Sequence, residues 1–188
     1  MEKRNEGSAH KTIRIVITGP ECTGKSTLTE QLASNFGTVY IPEYAREYIG
    51  NLCRPYHYDD VIHIAEVQRK QAHETVAGAK KMIFLDTYLI ITKVWFKVVF
   101  GRYPEWIDRE LLANTIDLYL LCGTDIPWTA DGVRENGGKM REKLYKMYKN
   151  ELDQLNCKYS EITGTGQERL DHAIYAVESF LANHRRKS

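Results

Sequence analysis

A parallel α/β fold is what the sequence predicts, and three observations carry the prediction. Short apolar runs alternate with amphipathic segments of helical period along the whole chain. Residues 19–27 read GPECTGKST and contain Gly-x-x-x-x-Gly-Lys-Ser, the pattern of a phosphate-binding loop, directly after the first apolar run. Chemically active residues follow the ends of several runs, at Gly19, Glu43, Asp86 and in the loop after Cys122, the side of a doubly wound sheet on which ligands bind. Together they describe a P-loop NTPase fold: a five-stranded parallel sheet with helices on both faces and a lid.

In order, residues 1–11 form a polar arm expected to be disordered, and 12–188 form one domain. Residues 12–18 are a continuous apolar strand of the kind buried on both faces of a sheet. After the glycine loop, 25–35 is a helix with Leu28 and Leu32 on one face, stopped by Gly37, and 38–41 is a short second strand ending at Pro42. A charged and aromatic cluster, EYAREYIG, follows. Residues 59–79 have helical period, with Val61, Ile64, Ala65, Ala72, Val76 and Ala79 on one stripe and Gln68 inside it. Residues 82–85 are a third strand terminating in Asp86, 88–100 and 104–114 are helices, and 117–122 is a fourth strand. A polar connection over 124–138 leads to a helix at 139–155, a fifth strand at 158–162 and a final helix at 168–182.

Composition excludes several classes. A net charge of +1 argues against a chain whose main partner is nucleic acid, since phosphate-backbone binding needs a concentrated basic surface. Cys22, Cys53, Cys122 and Cys157 are far apart and include no Cys-x-x-Cys pair, so neither a zinc site nor a disulfide framework is expected, and a cytoplasmic setting fits. The polar N-terminus lacks a signal-peptide core, and the richest apolar stretch, 88–100, carries Lys93 and Lys97, so no membrane span is expected.

The glycines of the loop let the backbone fold into a nest of N–H donors for phosphate, with Gly19, Thr23, Gly24, Lys25, Ser26 and Thr27 as the ATP-binding set. Lys25 would reach the terminal phosphates and Ser26 would ligate Mg2+. No Asn-Lys-x-Asp is present to read guanine, and the residue after Asp86 is Thr87 rather than a water-polarising Glu, so a switch GTPase and a mechanical ATPase both fit poorly. A second polar cluster, Glu43, Tyr44, Arg46 and Tyr48, stands at the neighbouring strand end, where an acceptor molecule could be held in line with the γ-phosphate.

Two carboxylates allow two roles. Asp86 is expected to hold magnesium and Glu43 to bind or deprotonate the acceptor hydroxyl, though sequence alone permits the exchange of these roles. Gln68 needs a partner for its buried amide, which a substrate or a protein group would supply. Trp95, Trp106, Tyr44 and Tyr48 are candidates to stack on an aromatic acceptor. In the lid, expected at about 125–150, Arg134, Lys139 and Arg141 are the cations for the transferring phosphoryl group, with Gly137 and Gly138 as hinge. Gly164, Thr165 and Arg169 form a turn that could cradle adenine. The runner-up readings are a nucleotide-dependent ATPase or switch acting on a protein partner, and a kinase for a different nucleoside. Oligomeric state leaves no signal.

GPECTGKST, PEYAREY from Pro42, Asp86-Thr-x4-Thr-x2-Trp95 and DIPW-x2-DG-x-RE from Asp125 resemble the kinase domain of NadR-type proteins over residues 13–180. The resemblance implies an ATP- and Mg2+-dependent kinase acting on the 5'-hydroxyl of ribosylnicotinamide to give nicotinamide mononucleotide. It implies a nucleoside and nucleotide kinase fold, with Lys25, Ser26 and Asp86 at the phosphates and metal, Glu43 and Arg46 near the acceptor, and Arg134 in the lid. NadR-type proteins usually carry an adenylyltransferase domain ahead of the kinase; its His-x-Gly-His signature is absent from this sequence.

Overall fold

The computed structural model describes residues 12–74, 81–113, 115–129 and 138–186. Its sheet has five parallel strands in the order β2-β3-β1-β4-β5. The strands are β1 (Ile13–Thr18), β2 (Tyr40–Ile41), β3 (Met82–Asp86), β4 (Leu118–Cys122) and β5 (Tyr159–Ile162). Around them lie α1 (Lys25–Asn35), α2 (Tyr44–Gly50), α3 (Tyr58–His73), α4 (Leu89–Val99), α5 (Glu105–Leu112), α6 (Gly138–Gln154) and α7 (Gly166–Arg185). Among the described residues no helix is long and apolar enough to cross a membrane.

Alternation along the central strands divides the core in two. Ile15, Ile17, Phe84, Leu118 and Leu120 face α1 and α7, meeting Leu28, Leu32, Ala173 and Val177. Val16, Ile83, Leu85, Tyr119 and Leu121 face the other way, against α3, α4, α5 and α6. Both faces are covered, which is why these strands read as unbroken apolar runs. The second layer also contains buried charge: Lys93 of α4 pairs with Asp108 of α5 at 2.7 Å and with Glu151 of α6 at 2.5 Å, and Lys97 joins the same Glu151. A lysine otherwise stranded among Val94 and Phe96 is thereby paired, and three helices are tied together.

Register sets the site. Ile17 lies opposite Asp86 and Thr18 opposite Leu121, so β1, β3 and β4 end level with one another. The glycine loop therefore leaves the sheet between the last residues of its two neighbours.

Several boundaries differ from expectation. The cluster EYAREYIG is a helix, α2, capped by Glu43, because Ala45 and Ile49 four residues apart give it one face to bury. The third helix closes at His73 with Glu74 as its C-cap; residues 75–80 lie outside the described residues, as does the expected disordered arm. The helix expected at 139–155 is α6, which opens one residue earlier at Gly138 and closes at Gln154, so the second half of the lid expected at about 125–150 is helical. That helix buries Leu144, Tyr148 and Leu152. Arg134 and Gly137 fall outside the described residues.

Candidate active site

The loop from β1 to α1 is shaped by two glycines at positive φ. At Gly19, with φ of 136°, a Cβ would stand 2.7 Å from the Cys122 carbonyl oxygen, so only glycine lets the chain turn out past β4. At Gly24, with φ of 71°, it would meet the Ile126 side chain at 2.9 Å. Inside the loop the Pro20 carbonyl accepts from the Thr23 hydroxyl at 2.8 Å and from the Lys25 ammonium at 2.9 Å. No acidic residue occupies the first turn of α1, so the positive end of the helix is left for an anion.

The loop floors one end of a cleft of about 680 Å³. Gly19, Thr23, Gly24, Lys25, Ser26 and Thr27 all border it, so the structure brings the expected ATP-binding set of the loop together. The same cleft is bordered by Glu43, the residue before α2, by Arg46 of α2 and by Trp95 of α4, with Glu43 close enough to Lys25 to feel its charge. Residues from 19–27, 43–56, 91–99 and 144–148 border this space, while Asp86 and the loop after Cys122, expected to converge there, are not part of its lining.

Glu43 borders this space, as does Glu21, and Asp86 lies buried beside it, near enough for its charge to act on Glu43. Asp86 is 4% exposed, and burial raises its carboxyl above the usual range, opposed by the Ser26 hydroxyl bonded to it and by Lys25 and Arg46. Glu43 is half-buried and is raised chiefly by burial; Lys25 pulls it down and Asp86 pushes it up. The two carboxyls therefore compete for one lysine. Asp86 Oδ1 is buried with no hydrogen-bond partner among the described residues. A hydroxyl, a desolvated carboxylate and an orphaned acceptor oxygen suit Mg2+, which takes few protein ligands beside phosphate and water. Ser26 and Asp86 are the residues that would hold it.

Other expected site residues lie elsewhere. Tyr44 does not border the cleft: its hydroxyl meets His63 Nε2 at 2.9 Å on the outer side of α2 and α3, because the helical turn carries it away from Glu43. Tyr48 is bonded to Asp60 at 2.9 Å, and Trp106 lies beneath the Arg69 guanidinium at 5.0 Å. Gln68, 4% exposed, donates to the Thr87 hydroxyl at 3.0 Å, while its Oε1 is buried with no hydrogen-bond partner among the described residues. Thr87 follows Asp86 at φ of 74°, a conformation costly for a β-branched residue.

Two arginines expected at the nucleotide, Arg141 and Arg169, are buried against the backbone around the loop. Arg141 is 5% exposed, and its guanidinium donates to the Glu21 and Cys22 carbonyls at 2.9 and 2.8 Å. Arg169 is 3% exposed and donates to the carbonyls of Gly164, Thr23 and Gly123, at 2.9, 2.8 and 3.3 Å. Both guanidiniums engage backbone, whose carbonyls at strand and loop ends otherwise lack partners. Gly164 and Thr165 sit beyond β5, outside the lining of the cleft.

Sequence reasoning missed Arg54, Tyr56 and Tyr148, which also border the cleft. Tyr56 meets the Trp95 ring edge-to-face at 4.9 Å. Arg54 is gripped by Asp60 at 2.7 and 2.8 Å, and the same carboxylate caps α3 through the His57 N–H at 2.7 Å. Asp60 is held well below the usual carboxylate range, by Arg54 first and the His57 N–H second. This cap fixes the 54–57 turn in the cleft wall, and Asp60 three residues after His57 was its one legible signal. Tyr148 sits on the apolar side of α6, indistinguishable in sequence from core.

Comparison with known proteins follows the same line. A family model described as an AAA domain matches residues 14–169. The trifunctional NAD biosynthesis/regulator protein NadR of Salmonella typhimurium is 28% identical over 160 residues, which cover 80% of this chain and 39% of that protein. The chain thus spans about two-fifths of the length of the curated relatives it matches. A crystal structure of NadR protein in complex with NR superposes with a TM-score of 0.71 at 24% identity, over 91% of this chain and 52% of that one. Deoxyadenosine kinase from M. mycoides, solved with dCMP and dCDP, gives 0.61 at 14% identity over 89% of this chain and 99% of that one.

Proposed function

The chain belongs to the AAA domain family, and from that premise we propose that it is an ATP-dependent small-molecule kinase whose acceptor is ribosylnicotinamide. The observation that carries the reading is the single cleft in which the phosphate loop faces Glu43, Arg46 and Trp95. A phosphate loop that only hydrolysed nucleotide would need no such second wall. The NadR relatives and the NadR structure with NR support the acceptor, and the deoxyadenosine kinase supports transfer to a sugar hydroxyl.

In this reading the loop N–H groups and Lys25 hold the nucleotide phosphates, and Glu43 orients the acceptor hydroxyl. The hydroxyl oxygen forms a bond to the γ-phosphorus as the bond from that phosphorus to the β,γ-bridging oxygen breaks. The hydroxyl proton passes to the Glu43 carboxylate, whose raised proton affinity matches it to that task. Mg2+ bound by Ser26 and Asp86 would neutralise charge on the phosphates. The apolar rim, with Val98 and Val99 at 37% and 47% exposed, and the Tyr56–Trp95 pair offer a flat ring a dry seat.

The experiment is to incubate the protein with Mg-ATP and ribosylnicotinamide and to resolve the products by chromatography. Nicotinamide mononucleotide appearing in step with ADP is the expected result. Transfer to another nucleoside alone would overturn the acceptor and keep the kinase; ADP released at a rate indifferent to any acceptor would overturn the kinase.

A further inference from the structure

Every carbonyl of the phosphate loop from Pro20 to Gly24 has an identified donor. Pro20 accepts from Thr23 and Lys25 within the loop, and Gly24 accepts from the Leu28 N–H at 2.9 Å as the first turn of α1. The three carbonyls between them, of Glu21, Cys22 and Thr23, are taken by two buried guanidiniums reaching in from α6 and α7. Arg141 spans the first two with one fork, and Arg169 takes the third while also holding Gly123 after β4 and Gly164 after β5.

We propose that Arg141 and Arg169 are positioning residues that preset the phosphate nest by holding its carbonyls from behind. None of the peptide bonds described is cis, so each carbonyl points opposite to the N–H of the next residue. Drawing the oxygens of Glu21, Cys22 and Thr23 towards the guanidiniums aims the N–H groups of Cys22, Thr23 and Gly24 the other way. Those residues border the cleft. The loop needs this help, because Cys22 stands at φ of 55° with a side chain that disfavours it, and Gly24 at 71°. Left to itself such a backbone samples other states, and a phosphate binding it would bear the ordering cost. Each guanidinium also brings a fixed positive charge behind the anion seat, in low dielectric. A geometric corollary is that the helix after the 124–137 connection is tied to the phosphate loop, through Arg141.

The inference rests on the phosphate-loop reading and is independent of the acceptor. Its test is the affinity for inorganic tripolyphosphate, measured by calorimetry, which isolates the nest from adenine and acceptor contacts. Arg141→Lys and Arg169→Lys keep the charge but replace a planar fork with a shorter side chain whose three N–H donors radiate from one atom and cannot reproduce the fork's fixed directions to two separate carbonyls. Each is expected to weaken tripolyphosphate about tenfold, as the loss of one charge-assisted hydrogen bond would. Arg141→Ala should recover its affinity when ethylguanidine is added, a response that general destabilisation does not produce, and this variant serves if the Arg169 variant fails to fold. Wild-type affinity in both lysine variants, or no response to ethylguanidine, would overturn the proposal. If the native protein binds neither tripolyphosphate nor ATP, the phosphate-loop reading falls and this inference with it.

Discussion

The two ends of the cleft are built by different means. The phosphate end is nearly contiguous: loop residues 19–27, a strand before them and a helix after them, with backbone N–H groups as the donors it offers. The acceptor end is assembled from side chains of α2, the 54–56 turn, α4 and α6, held in place by pairs such as Arg54 with Asp60 and Lys93 with Glu151. Backbone recognition needs a defined local conformation and so leaves a fixed pattern in sequence. Side-chain recognition needs only that packing bring the right atoms together, which many sequences accomplish. The phosphate end should therefore tolerate little change in chemistry, and the acceptor end should change in steps that follow each residue's own contact.

Asp86→Asn is expected to have the largest effect. Removing the charge proposed to hold Mg2+ should lower kcat by about a thousandfold, in the range of losing a key electrostatic stabiliser. The same change should raise the melting temperature of the ligand-free protein at pH 7. Because burial puts the folded carboxyl's pKa above its unfolded value, the folded state binds the proton more tightly and the ionised group opposes folding above that pKa. A variant that loses both activity and stability would contradict the account of Asp86.

Glu43→Gln comes next, with phosphoryl transfer down about a hundredfold and ATP affinity, read by titration, unchanged. The wild-type rate should fall as pH drops through the raised pKa of Glu43, and this acidic limb should vanish in the variant. The sign for stability follows Asp86: the gain from Gln is present at neutral pH and fades as pH falls below the folded pKa, where the native carboxyl is already neutral. A limb that persists would move the proton acceptor to another group.

Trp95→Ala should raise the acceptor KM about tenfold through loss of the ring pair with Tyr56 while leaving the KM for ATP within error. Equal effects on both substrates would erase the division between the ends. Tyr44→Phe sharpens the comparison from below. Its hydroxyl serves His63 on the outer face, so acceptor KM should move by less than about twofold despite its place beside Glu43.

Much of this was legible in one dimension. The strands came through as apolar runs because both faces of the sheet are covered, and the loop came through because two glycines and a lysine must stand at fixed spacing to fold around phosphate. Helix α2 was not, since seven residues carry too few turns for a clear period. Arg141 and Arg169 were readable as cations near the nucleotide, but whether a guanidinium faces the anion or braces the backbone behind it changes nothing in the sequence. Gln68 presents the same case: its need for a partner was evident from the apolar stripe around it, and the partner, Thr87, was not.

What the sequence determined by itself was everything governed by local period and local backbone geometry: the alternating elements, the phosphate loop, and the carboxylates at strand ends. Tertiary structure alone decided which way each side chain turned. It set Tyr56 against Trp95, carried Tyr44 outward, and drew two arginines from α6 and α7 onto consecutive carbonyls of the loop. Those outcomes depend on helix rotation and on which unsatisfied backbone group is nearest, and both are fixed only when the layers pack.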